Sequence, residues 1–202
     1  MTADDPHEPT QELARAARDG DAPRFGALWA RVAPALHAWA RLRVKPALRA
    51  RLDPEDLVQE VCCRAFRDLG RWDEARGPFR AWVFGIANAV LRRALEQLAL
   101  APSRRPGALD ESTAFLARIP EDATTISRRL AQDDGLAHFL ERVGELPEED
   151  RRLLLLRGLE GLAHEDIARE LGLSLEGAKK RWQRLRARLE EDPAARALLE
   201  AE

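Results

Sequence analysis

The sequence predicts an all-α protein built as two small helical domains joined by a flexible linker. Three observations carry that reading. Alanine, leucine, arginine and glutamate dominate the 202 residues, tyrosine is absent and β-branched residues are few, so intrinsic preference favours helix along most of the chain. Apolar residues recur at spacings of three and four in one segment after another, which places them on single faces of successive helices. Residues 101–125, APSRRPGALDESTAFLARIPEDATT, carry three prolines and several small polar residues, the composition of a break between domains. The expected boundaries are a first domain over 10–100, a linker over 101–125 and a second domain over 126–192.

In chain order, residues 1–9 are polar and hold two prolines, and no helix is expected there. Thr10 is placed to cap a short helix over 11–18 that Gly20 ends. Asp21 is placed to cap the next, with Pro23 in the first turn, where a missing amide costs little. That helix presents Phe25, Leu28, Trp29, Val32, Leu36 and Trp39 to a core; Pro34 should bend it and Pro46 should end its continuation. Asp53-Pro54-Glu55-Asp56 is a strong helix start: a cap, a proline at the first position, then acids at the positive end of the dipole. Leu57, Val58, Val61, Ala65, Phe66 and Leu69 form its buried face, and Gly70 closes it. RWDEARG, 71–77, reads as a loop. Pro78 opens a long helix with Phe79, Trp82, Val83, Ile86, Val90 and Leu91 inward. After the linker a helix is expected over about 126–143, weakened by Gly135. Pro147-Glu148-Glu149-Asp150 starts the next, whose apolar run Leu153, Leu154, Leu155, Leu156 should pack beneath the last two helices.

The last strong pattern is LAHEDIARELGLSLEGAKKRWQRLRARL. Ile167, Ala168, Leu171 and Leu173 give a short apolar face, broken at Gly172, the residue type that enters a left-handed turn without a Cβ penalty. Ser174 stands where an N-cap belongs. Leu175, Ala178, Trp182, Leu185 and Leu189 then share one stripe, while the stretch 174–189 carries six basic residues against one acid. Two helices around a glycine turn, the second basic on its outer side, make a helix-turn-helix, whose second helix enters the DNA major groove. By wheel position Glu176, Lys180, Gln183 and Arg184 point outward and could reach base edges, carboxylate to cytosine and Lys or Arg to guanine. Ser174, Lys179, Arg181 and Arg188 suit phosphates. Pro193 should stop this helix.

Other function classes find little support. The net charge is −2, so nucleic-acid affinity must come from local patches. One is the stretch 41–105, with fourteen basic and eight acidic residues. Cys62 and Cys63 are adjacent, cannot bridge without strain, and are expected reduced and partly buried. His7, His37, His138 and His164 are scattered without metal or triad spacing, and His164 is expected at the surface. No phosphate-cradling glycine loop, GxSxG or HExxH occurs. No enzyme, metal or cofactor is expected. MTADDPHEPT lacks the apolar run of a signal peptide, and no run of about 18 apolar residues occurs. A cytoplasmic protein is expected.

LDPEDLVQEVCCRAFRDLGRWDEARGPFRAWVFGIANAVLRR resembles conserved region 2 of the bacterial extracytoplasmic-function sigma factors, the compact two-domain sigma factors of RNA polymerase. The matching positions are Glu55-Asp56-Leu57-Val58-Gln59-Glu60, Arg64-Ala65-Phe66, Phe79-Arg80-Ala81-Trp82 and Ile86-Ala87. LPEEDRRLLLLRGLEGLAHEDIARELGLSLEGAKKRWQRLRARL resembles region 4, through Leu146-Pro147, Leu154-Leu155, Glu160-Gly161-Leu162, Ile167-Ala168, Lys179 and Arg181. The two matches span roughly 85 residues and stand in the family order.

The resemblance implies a protein, monomeric when free, that binds core RNA polymerase and promoter DNA and admits an anti-sigma factor as a further partner. It implies that Asp56, Gln59, Glu60 and Arg64 dock on core polymerase. It implies that the loop 71–77 and the following helix start meet the −10 element, with Trp72, Arg76, Phe79 and Arg80 offering the aromatic faces and cations of single-stranded DNA binding. Arg92 and Arg93 supply backbone charge. The second domain would read the −35 element. Ala89 and Arg93 stand where the family has asparagine and an acid, and Glu176-Gly177-Ala178 replaces a commoner Gly-Thr-Val. Two other readings stay open: a conventional helix-turn-helix regulator that binds as a dimer, and a degenerate sigma-like protein that binds an anti-sigma factor without initiating.

Overall fold

Among the described residues every regular element is helical, as the composition predicts. The structure, a computed structural model, describes residues 9–19, 22–100, 134–191 and 195. The chain divides into two compact units, Met1–Gln132 and Asp133–Glu202. The expected linker, 101–125, and the start of the helix expected after it, 126–133, lie outside the described residues.

The first unit holds α1 (Thr10–Arg18), α2 (Ala22–Arg43), α3 (Pro54–Asp68) and α4 (Phe79–Leu100), with single 3-10 turns at Pro46–Leu48, Leu69–Arg71 and Glu74–Arg76. Each helix packs against the next or across a short turn, and α4 returns to touch α1 and α2, closing a bundle. The predicted stripe of α2 is wholly interior: Phe25, Leu28, Trp29, Val32, Leu36 and Trp39 are all 0% exposed. Phe25 meets Phe66 of α3 with ring centroids 4.9 Å apart, and Trp39 meets Phe84 of α4 at 6.0 Å, both edge to face. Each such side chain removed from water contributes about 1.5–3 kcal/mol before entropy is counted.

Helix starts follow local chemistry unevenly. Asp53 caps α3 as expected, its carboxylate accepting from the Glu55 amide at 2.8 Å, with Pro54 in the first turn. Thr10 does not cap α1: the helix begins at Thr10 itself after Pro9, and the Thr10 hydroxyl is buried without a hydrogen-bond partner among the described residues. Gly20 and Asp21, the expected stop and cap, lie outside the described residues. α2 runs on through Pro34 to Arg43, and Pro46 opens the turn beyond it.

The second unit holds α5 (Asp134–Gly144), α6 (Glu148–Leu153), α7 (His164–Leu171) and α8 (Leu175–Leu189). α6 widens over Leu154–Leu159, where the Glu160 amide reaches back five residues to the Leu155 carbonyl and the Leu162 amide six to Leu156, both at 2.9 Å. Gly161 makes the exit with φ 73°, a left-handed value that costs glycine little. The wide turn tucks Leu154, Leu156 and Leu159 inward, beneath α7 and α8 as the apolar run predicts. Glu160 is also buried there, 4% exposed.

Candidate nucleic-acid interface

The turn between α7 and α8 has the geometry that its residues predict. Gly172 sits at φ 66°, ψ 30°, and the Leu173 amide reaches back to the Ala168 carbonyl at 2.9 Å. The α7 carbonyls are thereby closed off, which is how a left-handed cap ends a helix. Ser174 then starts α8, its hydroxyl accepting from the Gly177 amide at 3.0 Å. A Cβ on Gly177 would stand 3.0 Å from that same hydroxyl oxygen. A side chain at 177 would therefore require the Ser174 hydroxyl to shift by a few tenths of an ångström.

On α8 the apolar stripe faces inward: Ala178, Leu185 and Leu189 are buried, Leu175 and Trp182 half-buried. Glu176, Lys180, Gln183 and Arg184 are exposed together on the outer side. The Arg184 side chain lies back along the helix, its Nε donating to the Lys180 carbonyl at 3.3 Å.

The basic residues flanking this row are differently placed from expectation. The sequence shows six cations and one acid on α8, but the fold supplies acids from elsewhere. Arg181 donates through Nε to Asp150 at 2.7 Å and through Nη1 to Glu149, both at the start of α6. Arg188 approaches the other oxygen of Asp150 at 3.6 Å. Lys179 pairs with Glu176 at 3.3 Å and Arg186 with Glu190 at 2.6 Å. Arg181 and Arg188, expected to hold phosphates, thus tie α8 to α6. Arg181 is the stronger tie, at 2.7 Å against 3.6 Å and with its side chain 26% exposed against 60%. His164, expected at the surface, is half-buried with Nδ1 enclosed and unpartnered among the described residues, and burial lowers its pKa.

In the first unit the segment after α3 folds as two short turns, not an open loop. Trp72 is 2% exposed, and its indole N–H donates to the Gly77 carbonyl at 3.3 Å across the base of the loop. Its ring meets Phe79 edge to face at 5.9 Å, and Phe79 is 0% exposed. Arg80 is also interior, its guanidinium 5.7 Å from the Phe84 ring centre. The open aromatic faces and the cation expected of Trp72, Phe79 and Arg80 are therefore not presented. They are the floor of the loop, because their spacing serves the core before any ligand. The exposed rim is Arg71, Asp73, Glu74, Ala75 and Arg76. Arg92 and Arg93 are exposed on α4.

On α3, Asp56 and Gln59 are exposed. Glu60 and Arg64, grouped with them by the sequence, form a partly buried ion pair with each other at 2.5 Å, one helical turn apart. Arg41 reaches Glu55 beside them at 3.1 Å.

Sequence reasoning passes over two sets of residues. Glu149 and Asp150 read as helix-start acids, and only the fold shows them holding Arg181. Gln11, Arg15 and Arg18 recur at intervals of four and three on α1, a polar stripe visible in the sequence. Its partners lie some sixty residues on: Arg15 grips Glu74 through Nε and Nη2 at 2.7 and 2.8 Å.

Among the described residues no group of His, Cys, Asp or Glu could hold a metal ion, and no helix is long and apolar enough to cross a membrane. Cys62 and Cys63 are buried as thiols, and burial raises the pKa of Cys62.

The family model for ECF sigma factors matches residues 8–194. The chain is 32% identical over 163 residues to the ECF RNA polymerase sigma factor ShbA of Streptomyces griseus subsp. griseus, a match covering 80% of this chain and 83% of that protein. It is 30% identical over 189 residues to the RNA polymerase sigma factor CnrH of Cupriavidus metallidurans, covering 91% and 94%. The solved structure of CnrH in complex with the cytosolic domain of CnrY aligns with 96% of this chain and 98% of its own at 27% identity and a TM-score of 0.43. With a family match spanning nearly its whole length, this chain belongs to the ECF sigma factors.

Proposed function

We propose that this sigma factor binds core RNA polymerase through its first unit, holds the opened −10 element there, and reads the −35 element as duplex through α8. The observation that carries the reading is the outward row Glu176, Lys180, Gln183 and Arg184. It combines base-reading side chains with a helix whose flanking cations are braced from behind by Asp150 and Glu149. A helix held in this way presents its row at fixed spacing, which direct readout in the major groove requires. Ser174 and Lys179 are at the end of α8 where backbone phosphates would lie.

In the first unit, Asp56 and Gln59 are the polar positions of α3 offered to the polymerase, with the Glu60–Arg64 pair shaping the surface beside them. The rim of the 71–77 loop, with Arg76 foremost, and Arg92 and Arg93 on α4 supply the cations for the separated strand. Trp72 supports that rim from beneath. The protein works where the polymerase is, in the cytoplasm, and an anti-sigma factor would compete for these same faces.

Reconstituted transcription tests the reading. Purified protein is combined with sigma-free bacterial core polymerase and a genomic fragment library, and transcript starts are mapped. Discrete starts that disappear with Asp56→Arg are the expected result. Core binding without discrete starts would instead favour a degenerate member controlled by an anti-sigma factor. Specific duplex binding with no core binding would favour a conventional regulator.

A further inference from the structure

The polar stripe of α1 takes no part in the polymerase and DNA contacts proposed for this protein, yet it meets the 69–79 segment at three points. Gln11 accepts from the Phe79 amide at 3.3 Å, at the N-terminus of α4 where the chain leaves the loop. Arg15 holds Glu74 with a two-pronged guanidinium grip at 2.7 and 2.8 Å. The Arg18 guanidinium lies 6.0 Å from the Trp72 ring centre, near the loop's entrance. The three residues are spaced as one helical face, so a single rigid element touches the entrance, crest and exit of the loop.

The loop needs such support. Between Trp72 and Phe79 its regular structure is one 3-10 turn, Glu74–Arg76, capped by Asp73 accepting from the Ala75 amide at 3.0 Å. Gly77 follows at φ 143°, a conformation that glycine alone adopts easily. The Trp72–Gly77 hydrogen bond closes the base of the loop, and the planar two-bond contact at Glu74 holds its crest.

We propose that α1 is the positioning element of the −10 loop, with Arg15 setting the loop's working shape through Glu74, so that Arg15 governs −10 preference without touching DNA. The proposal rests on the reading of the 71–77 rim as the −10 contact. The Glu74 carboxyl is held below its ordinary pKa, first by its hydrogen bond with Arg15. The pair is about half exposed, and exposed pairs contribute little to global stability. A specificity effect and a folding effect are therefore separable.

The test uses the full chain with sigma-free core polymerase on two promoter pools, one randomised at −10 and one at −35. Arg15→Glu, Glu74→Arg and the combined swap are compared with the parent protein. A half-exposed ion pair holds a geometry only weakly, so each single change should cut the −10 preference by about two- to fivefold. The −35 preference, core affinity and Tm should stay near the parent's, and the swap should restore −10 preference. An unchanged −10 profile in Arg15→Glu would overturn the proposal, as would a loss that the swap fails to rescue, since Glu74 would then act alone. A parent protein whose starts ignore the −10 pool would instead overturn the reading of the loop on which the proposal rests.

Discussion

The 69–79 loop and α8 begin from similar materials, arginines interleaved with tryptophan, and the fold treats them in opposite ways. On α8 the backbone ladder fixes every side chain's direction, so Trp182 falls half-buried on the apolar stripe while Lys180, Gln183 and Arg184 remain outside. The 69–79 segment has only two single 3-10 turns, and the loop is shaped by what it buries: Trp72 against Gly77 and Phe79. A regular helix can spend one face on stability and keep another for recognition. An irregular loop of this length must use its largest side chains to hold itself together, and keeps only its small and charged rim for a partner.

The largest effect is expected from Trp72→Ala. If Trp72 is the floor of the loop, its removal leaves a cavity and destabilises the first unit by about 3–5 kcal/mol. Chemical denaturation followed by circular dichroism measures this. A variant as stable as the parent but unable to open promoters would mean that Trp72 is a reading residue after all, and the contrast with α8 would fail.

Acid provides a second separation of the units. His37 is 2% exposed within α2, its Nε2 is buried without a partner among the described residues, and its pKa is lowered to about 4, first by burial and then by Arg41. The unfolded imidazole takes a proton near pH 6.5 while the folded one resists until about pH 4. Stability from this residue is therefore complete above pH 6.5 and is lost as pH falls through that window, about 3 kcal/mol in all. Unfolding at pH 7 and pH 4.5 should show the loss, and His37→Leu should flatten it. Tryptophan emission reports mainly on the first unit, which holds Trp29, Trp39, Trp72 and Trp82. A parent protein with no pH dependence between these values would rule out the buried neutral imidazole.

The smallest effects lie within α8 and sharpen its division of labour. Lys180→Ala or Arg184→Ala should alter promoter preference at one base pair by about 1–3 kcal/mol while leaving stability alone. Arg181→Ala should do the reverse, lowering the stability of the second unit by about 1–2 kcal/mol through the loss of its bonds to Asp150 and Glu149, with little change in the salt dependence of DNA binding. Binding titrations at several salt concentrations distinguish them. A steep loss of salt dependence in Arg181→Ala would return that residue to the phosphate contacts.

How much is legible in the chain depends on the range of the interactions involved. The Asp53 cap, the Gly172 turn, the Ser174 cap and the stripes of α2 and α8 are matters of one to seven residues, and all stand as the pattern predicts. Thr10 is no cap because the helix starts one residue earlier than its pattern suggests, a difference that packing decides. The roles of Arg181, Arg80 and Trp72 escape the sequence pattern at different ranges. Arg181 looks available to a ligand until Glu149 and Asp150 meet it from 32 and 31 residues away, whereas Trp72 and Arg80 turn inward against near neighbours, Gly77, Phe79 and Phe84.

The local pattern of the chain is enough to predict its helices, the helix-turn-helix near its C-terminus and the outward residues of α8. Helical periodicity and glycine conformation are local physics, complete within a few turns. Long-range packing alone brings Glu74 to Arg15 and Asp150 to Arg181. Those pairings join residues 59 and 31 positions apart. No periodicity encodes such distances, because they exist only after the bundle has closed.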